Sequence, residues 1–327
     1  MAANTLITGN VVRIAEDVED ILYNFNPDDS PFVSSLERQK IEHTFHEWNR
    51  DSYATPDPNN AAIEGADASN AAIGQPSPLN NRTQIFTKAW SISNTTEAVK
   101  KYGRKTEQAR VKGLRLVEMR RDMEAACLSS GASVTGTGAT AGKLRGLYGF
   151  IATNNSLGVG GVAPNPVTNT APTAGTLAAL TEANFKAVLL GVFSNGGKGS
   201  TALVSPSHKQ KISTVFTGNV TRTHNVDSKT TDPALIANID YYKHDFGITK
   251  MVANRVMSAP GTGAGLLNTI YIYDTDKCAL GVLRGIETEQ MATTGDAKNF
   301  QMRTEVTLIV RDEKPLGALR DVTTTGN

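Results

Sequence analysis

Cysteine is almost missing from this sequence: Cys127 and Cys278 are the only two in 327 residues. Two thiols cannot staple a small secreted fold, so the expectation is a pair of reduced, packed side chains in a cytosolic protein. No apolar run approaches the ~18 residues of a membrane-spanning helix. No basic-then-apolar leader follows Met1, so the chain is expected to be soluble and made in a cytoplasm, with no membrane partner. The triplets Asn81-Arg82-Thr83, Asn94-Thr95-Thr96 and Asn219-Val220-Thr221 then read as chance matches to a glycosylation signal. An excess of one charge is lacking too: 33 Lys and Arg face 32 Asp and Glu, leaving +1. That balance argues against a general electrostatic grip on nucleic acid.

Recognisable chemistry is the next absence. The glycine clusters at Gly136-Thr-Gly138, Gly158-Val-Gly160-Gly161 and Gly261-Thr-Gly263-Ala-Gly265 lack the spacing of a dinucleotide fingerprint. They also lack the Lys-Ser/Thr of a phosphate loop, so they read as loop glycines. Around Ser205-Pro206-Ser207-His208 no strand-to-helix nucleophile turn is expected, and helix capping accounts for the serine. His43 and His46 are the closest histidine pair, but an i,i+3 pair on a strand points to opposite faces, which is poor for sharing a metal. The acidic pairs Glu16-Asp17 and Asp28-Asp29 read as solvated faces and caps. No catalytic, cofactor-binding or metal-ligating residue is assigned, and the chain is not expected to be an enzyme.

What is present is an α+β order of elements without a regular βαβ repeat. Val11, Ile14, Val18, Ile21 and Phe25 line one face of a short helix that ends at Asn26-Pro27. Asp28, Asp29 and Ser30 offer caps for a second, with Pro31 at its first position. This pair is either plain packing or an arm that docks on another subunit. His43 to Asp51 and Arg82 to Ser93 are β-prone, the second placing Phe86, Trp90 and Ile92 on one face. Between them lies a long Asn-, Ala- and Pro-rich stretch; two strands joined by it would form a projecting arm in need of a partner surface.

Residues 96–128 carry the strongest helical signal. Val99, Tyr102, Thr106, Ala109, Gly113, Leu116, Met119, Met123 and Ala126 follow one stripe, with Thr95 or Thr96 as cap and Ser129-Ser130-Gly131 as stop. Such a helix is about 50 Å long. Its many charges fit either a solvated face of i,i+4 pairs or a face turned toward DNA or scaffold. Further on, the pattern predicts turns and short strands over 131–176, a helix over Leu180–Phe193, and a strand over Thr201–Val204. A helix from Pro206 to Phe216 follows, then strands at Ile239–Tyr242, Ile248–Ala253, Ile270–Tyr273, Cys278–Leu283 and Met302–Val310.

Several stretches resemble the major capsid proteins of tailed phages, in the branch found in short-tailed and related phages. Pro27-Asp-Asp-Ser30-Pro31-Phe32 and Glu47-Trp48-Asn49-Arg50-Asp51 look like the entry to that family's extended loop. Val204-Ser205-Pro206-Ser-His-Lys209 and Asp245-Phe246-Gly247 resemble its axial domain. Most similar is Leu280–Leu319, with Ala292-Thr-Thr-Gly295-Asp296, Glu305-Val-Thr-Leu308 and Glu313-Lys-Pro-Leu-Gly317. The tip at 52–81 and the segment 131–176 have no counterpart in it.

The resemblance implies the tailed-phage major capsid fold: an N-terminal arm at 1–40, an extended β-hairpin loop at 41–93, and an axial domain at 200–284. A peripheral domain at 94–199 and 285–327 would hold the spine helix, 96–128. It also implies a structural virion protein that assembles with itself into hexamers and pentamers, closing an icosahedral head around double-stranded DNA. Scaffolding, portal and decoration proteins would be further partners, with assembly in the host cytoplasm. A shell that encloses DNA need not be basic overall. On this reading Phe86, Trp90 and Ile92, then Phe45 and Trp48, are the expected contacts between subunits, since buried aromatics dominate interfaces. Each would otherwise be a core residue of its own subunit. Gly103 and Gly113 would let the spine bend during maturation. Two rivals share parts of the pattern: a virion decoration or tail-structural protein, and an encapsulin-like nanocompartment shell.

Overall fold

Alternation in the last long strand explains one of two main sheets. In β11 (Ala297–Val310) Phe300, Met302, Thr304, Val306, Leu308 and Val310 are all buried. The computed structural model describes residues 30–65, 67, 73–101, 106–216, 239–259, 264–293 and 295–323. In it β11 lies between β10 (Cys278–Gln290) and β4 (Gln84–Ser93), antiparallel to both, and β1 (Glu37–Lys40) adds a parallel edge to β10. The helix expected between Val11 and Phe25 and the caps at Asp28 and Asp29 lie outside the described residues. So does Gly103. The helix opened by Pro31 is α1 (Pro31–Ser35). Its first free amides, on Phe32 and Val33, donate to the buried Glu124 carboxylate at 2.9 and 2.7 Å, which replaces the missing helical acceptors.

The strands expected to frame the extended loop are not partners. β2 (Phe45–Arg50) pairs with β3 (Ser77–Arg82), six residues each, in a separate two-stranded ribbon. β4 belongs to the main sheet. The break falls at Thr83, whose amide donates to Thr44 O at 2.8 Å and closes the ribbon, while its hydroxyl donates to Glu305 at 2.7 Å. The projecting part of the 41–93 segment is therefore 45–82.

The single helix expected over 96–128 is two. Ser93, rather than Thr95 or Thr96, caps α2 (Asn94–Ala98), accepting from the Thr96 amide at 3.1 Å. Val99 is extended (φ −74°, ψ 134°), and α3 (Glu107–Leu128) starts from an extended Thr106. At 22 residues α3 is about 33 Å long. β-branching at Val99 and a run of four like charges nearby, Lys100, Lys101, Arg104 and Lys105, disfavour continuation. The apolar stripe holds only in the second half: Met119 and Met123 are buried on β4 and β11, whereas Ala109 and Gly113 are exposed.

The second sheet has the order β5-β12-β9-β6-β8-β7. These strands are β5 (Asn155–Ser156), β12 (Gly317–Leu319), β9 (Ile270–Tyr273), β6 (Thr201–Val204), β8 (Gly247–Ala253) and β7 (Tyr241–His244). α4 (Glu182–Ser194) and α5 (Pro206–Val215) pack on it through Phe185, Val188, Leu189, Val192 and Ile212. Both are capped as their sequences indicate: Thr181 accepts from Asn184 N and Ser205 from His208 N. This sheet draws on residues from 155 to 319, and α4 packs on it. β10, beginning at Cys278, belongs to the other sheet. The divisions at 200 and 284 thus do not separate the two sheets. Among the described residues no helix is long and apolar enough to cross a membrane.

Candidate assembly interface

The β2–β3 ribbon is fixed at its root and bare at its tip. Trp48 Nε1 donates to Val310 O at 2.8 Å, and Arg50 Nη1 reaches Asp312 at 3.3 Å and Glu313 at 3.6 Å. Asn81 Nδ2 donates to Arg145 O and Leu308 O at 3.0 and 2.7 Å. Arg82 lies 4.9 Å above the Phe45 ring. Beyond this root every described residue from 51 to 65 is exposed, and Tyr53, Ile63 and Ile73 keep 103%, 82% and 89% of their surface. Residues 51–81 contain four acids (Asp51, Asp57, Glu64, Asp67) and no Lys or Arg. Exposed Tyr53, Ile63 and Ile73 at the end of an isolated two-stranded ribbon point to a partner surface.

The expected contact residues divide. Phe86, Trp90 and Ile92 are only 7%, 7% and 8% exposed, and they pack inside their own subunit. Trp90 stacks on Phe300 at 5.7 Å. The face of β4 that carries these three is packed on α3 and β11 within the subunit. Phe45 and Trp48 are half-buried in the ribbon root, with Trp48 6.0 Å from Phe150. What β4 offers outward is Ile85, 53% exposed.

Ion pairs along α3 join Arg110 to Glu107, Arg115 to Glu118 (2.7 Å), and Lys88 of β4 to Asp122 (2.6 Å). Among the described residues Lys112, Arg120 and Arg121 form none, so α3 presents net positive charge.

Two further surfaces were not legible in the sequence. From Gly146 to Thr181 no residue is charged, in a chain with 20% charged residues. Within this run, 158–176 doubles back as a hairpin through bridges Val162–Thr173 and Asn165–Thr170. Gly158 and Gly175 cross backbone on backbone at its base. A Cβ on Gly158 would lie 1.9 Å from Thr176 O, and one on Gly175 2.4 Å from Gly158 O. Asp321 accepts from Gly175 N at 2.8 Å. At the far end Asn169 accepts from Ser133 N at 3.0 Å and from buried Arg145 at 2.7 Å. Burial brings the Arg145 guanidinium down to about 10, still protonated at neutral pH. Held at both ends, the hairpin exposes Val159, Val162 and Val167, and Leu177 is exposed just beyond it. The second surface is a groove of about 280 Å³ between α4 and the β7–β8 turn, lined by Ala183, Ala187, Leu190 and Phe246. Phe193, half exposed, stacks on Phe246 at 4.6 Å.

One arrangement has the look of chemistry. Contrary to expectation, Ser205 does stand in a strand-to-helix turn, between β6 and α5, and its Oγ is 2.9 Å from His208 Nδ1. Both are at 0% exposure and the imidazole Nε2 faces Val322 O at 3.3 Å, so no substrate can reach the pair. Among the described residues no three His, Cys, Asp or Glu side chains gather as metal ligands.

Against this geometry stand the comparisons with known proteins. The model of a family described as SU10 major capsid protein matches residues 2–323. The chain belongs to that family. The major capsid protein of Escherichia phage Phieco32 is 36% identical over 107 residues, 32% of this chain and 30% of that protein. The chain thus spans under a third of the length of that curated relative. The cyanophage A-1(L) capsid asymmetric unit shares the fold with a TM-score of 0.66 at 15% identity, over 97% of this chain and 98% of that one. The SrpI encapsulin of Synechococcus elongatus PCC 7942 does so with 0.53 at 12%, over 96% and 94%. At such identities the likeness is one of fold, and phage capsid and encapsulin share it. The SU10 family match is what separates this major capsid protein from the nanocompartment and decoration-protein readings. It is a structural protein of the virion, with the tailed-phage capsid fold.

Proposed function

We propose that the chain assembles with itself into hexameric and pentameric capsomers that close an icosahedral head around double-stranded DNA, in the host cytoplasm. The β2–β3 arm of one subunit lies over α3 of its neighbour. The observation that carries this is the arm itself: a stitched root, a bare apolar tip with four acids and no base, and unpaired bases on α3 to receive it. The binding surface is then the tip, with Phe45 and Trp48 setting its root. Scaffolding, portal and decoration proteins are further partners, and the packaged DNA is enclosed without sequence recognition.

The test is negative-stain electron microscopy of the purified protein beside a variant in which residues 51–76 are replaced by Asn-Gly, a turn that suits the Arg50–Ser77 end of the ribbon. Closed shells or capsomer rings are expected from the parent, and a folded, non-assembling subunit from the variant. A parent that stays monomeric with scaffold and crowding agents sinks the self-assembly reading. A variant that closes shells as well as the parent sinks the role of the arm.

A further inference from the structure

A ring of identical subunits needs a head-to-tail contact in which two different surfaces of one copy meet. We infer that the uncharged hairpin 158–176 is one of those surfaces and the α4/β7–β8 groove the other, so that the hairpin of each subunit seats in the groove of the next around the capsomer. This rests on the capsomer reading above and names the contact within it.

Position is the first support. The hairpin leaves directly from β5, and the groove lies between the β7–β8 turn and α4, a helix that packs on β12 and β5. β5 and β7 are the two opposite edges of the six-stranded sheet. A contact joining the hairpin to the β7–β8 side of the next copy's groove uses two different surfaces and repeats around a closed ring, whereas two like surfaces would stop at a dimer.

Composition is the second. Interface cores are depleted in charge, and an exposed apolar loop with no charge over residues 146–181 is poorly suited to water. Val162 and Val167 are 58% and 62% exposed on the hairpin; Leu190 and Phe193 are 52% and 50% exposed at the groove. The only charged groups in the groove lining are Lys186 and Asp245, and Lys186 is already paired with Glu182 at 2.9 Å. An uncharged insert is what such a groove accepts without stranding a charge. Preorganisation is the third. The glycine crossing, Asp321 and the Asn169–Arg145 contact hold the hairpin in one shape before binding, which lowers the ordering cost of association.

The experiment uses the full chain with Val167→Glu on the hairpin and Leu190→Glu on the groove, read by size-exclusion chromatography and negative stain. Both sites are exposed in the isolated subunit, so its melting temperature should move by no more than a degree or two. Ring yield should fall at least tenfold for each variant. An equal mixture should give pairs, since each Leu190→Glu hairpin still finds an intact Val167→Glu groove, but no closed rings. Rings at parental yield from either variant would overturn the inference while leaving the capsomer reading intact, and would assign the unaffected surface to another partner. A parent without rings would remove the capsomer reading and this contact with it.

Discussion

His208 sits at zero exposure in α5, with Ser205 against Nδ1 and the Val322 carbonyl against Nε2. Burial holds its pKa below 6.5; the Val322 carbonyl opposes the shift and Lys211 reinforces it. The unfolded chain therefore binds a proton that the folded chain refuses as pH falls below about 6.5, and stability declines with it. This contribution is present in full above 6.5 and is lost as pH drops toward the lowered folded value. Asp274 adds a second window. Burial alone would raise its pKa, but the amides of Ser200, Lys198 and Gly199 outweigh that and bring it below 3.8, so its stabilisation disappears only in stronger acid. Melting temperature measured from pH 7 to 5 should fall for the parent, and His208→Gln should flatten the slope. His46 and His244 are also held below 6.5 by burial, so part of the slope should remain. An unchanged slope in His208→Gln would show that this imidazole is not the sensor.

At the scale of elements, β4 carries the clearest prediction. Trp90 is 7% exposed and stacked on Phe300, so Trp90→Ala should destabilise the isolated subunit by about 3–5 kcal/mol. Urea unfolding of the monomer reads this; a loss under 1 kcal/mol with failed assembly would return Trp90 to an interface. The same strand shows what was legible in the sequence. Period two placed Phe86, Trp90 and Ile92 on one face, but no periodicity says whether that face meets its own helix or a neighbour. Elements with local punctuation were readable: Thr181 and Ser205 start α4 and α5, and β6 and β9 fall where their apolar runs fall. β3 was missed because Ser77-Pro78-Leu79-Asn80-Asn81-Arg82 is polar. It is a strand because Leu79 and Asn81, both at 0% exposure, are held by the body of the subunit. The break at Val99 was hidden for the opposite reason: the helical stripe continues through it on paper, and tertiary context ends α2 there. The hairpin and groove could not be found by pattern, although the uncharged run from 146 to 181 was a signal in plain view.

Among the described residues, a two-sheet body contrasts with the bare arm tip, and that contrast predicts how assembly protects it. Residues 51–81 contain no Lys or Arg, so trypsin can cut the arm only at Arg50 and Arg82, and Arg50 is tied to Ser77, Asp312 and Glu313. Chymotrypsin meets Tyr53 at 103% exposure, a few residues beyond the last paired position of the ribbon. Among the described aromatics Tyr53 is more exposed than Tyr241 (65%) or Phe193 (50%), while Phe32, Phe150, Phe185, Tyr148 and Tyr271 are buried, so of these sites Tyr53 should be nicked first in the free subunit. If the tip lies on a neighbouring α3 in the shell, assembled particles should be cut there at least tenfold more slowly than free subunits at equal protein concentration. Mass spectrometry of the first fragments separates the outcomes. Cleavage at Tyr53 at the same rate in shells and subunits would leave the tip outside the contact, and the hairpin and groove would then have to hold the ring without it.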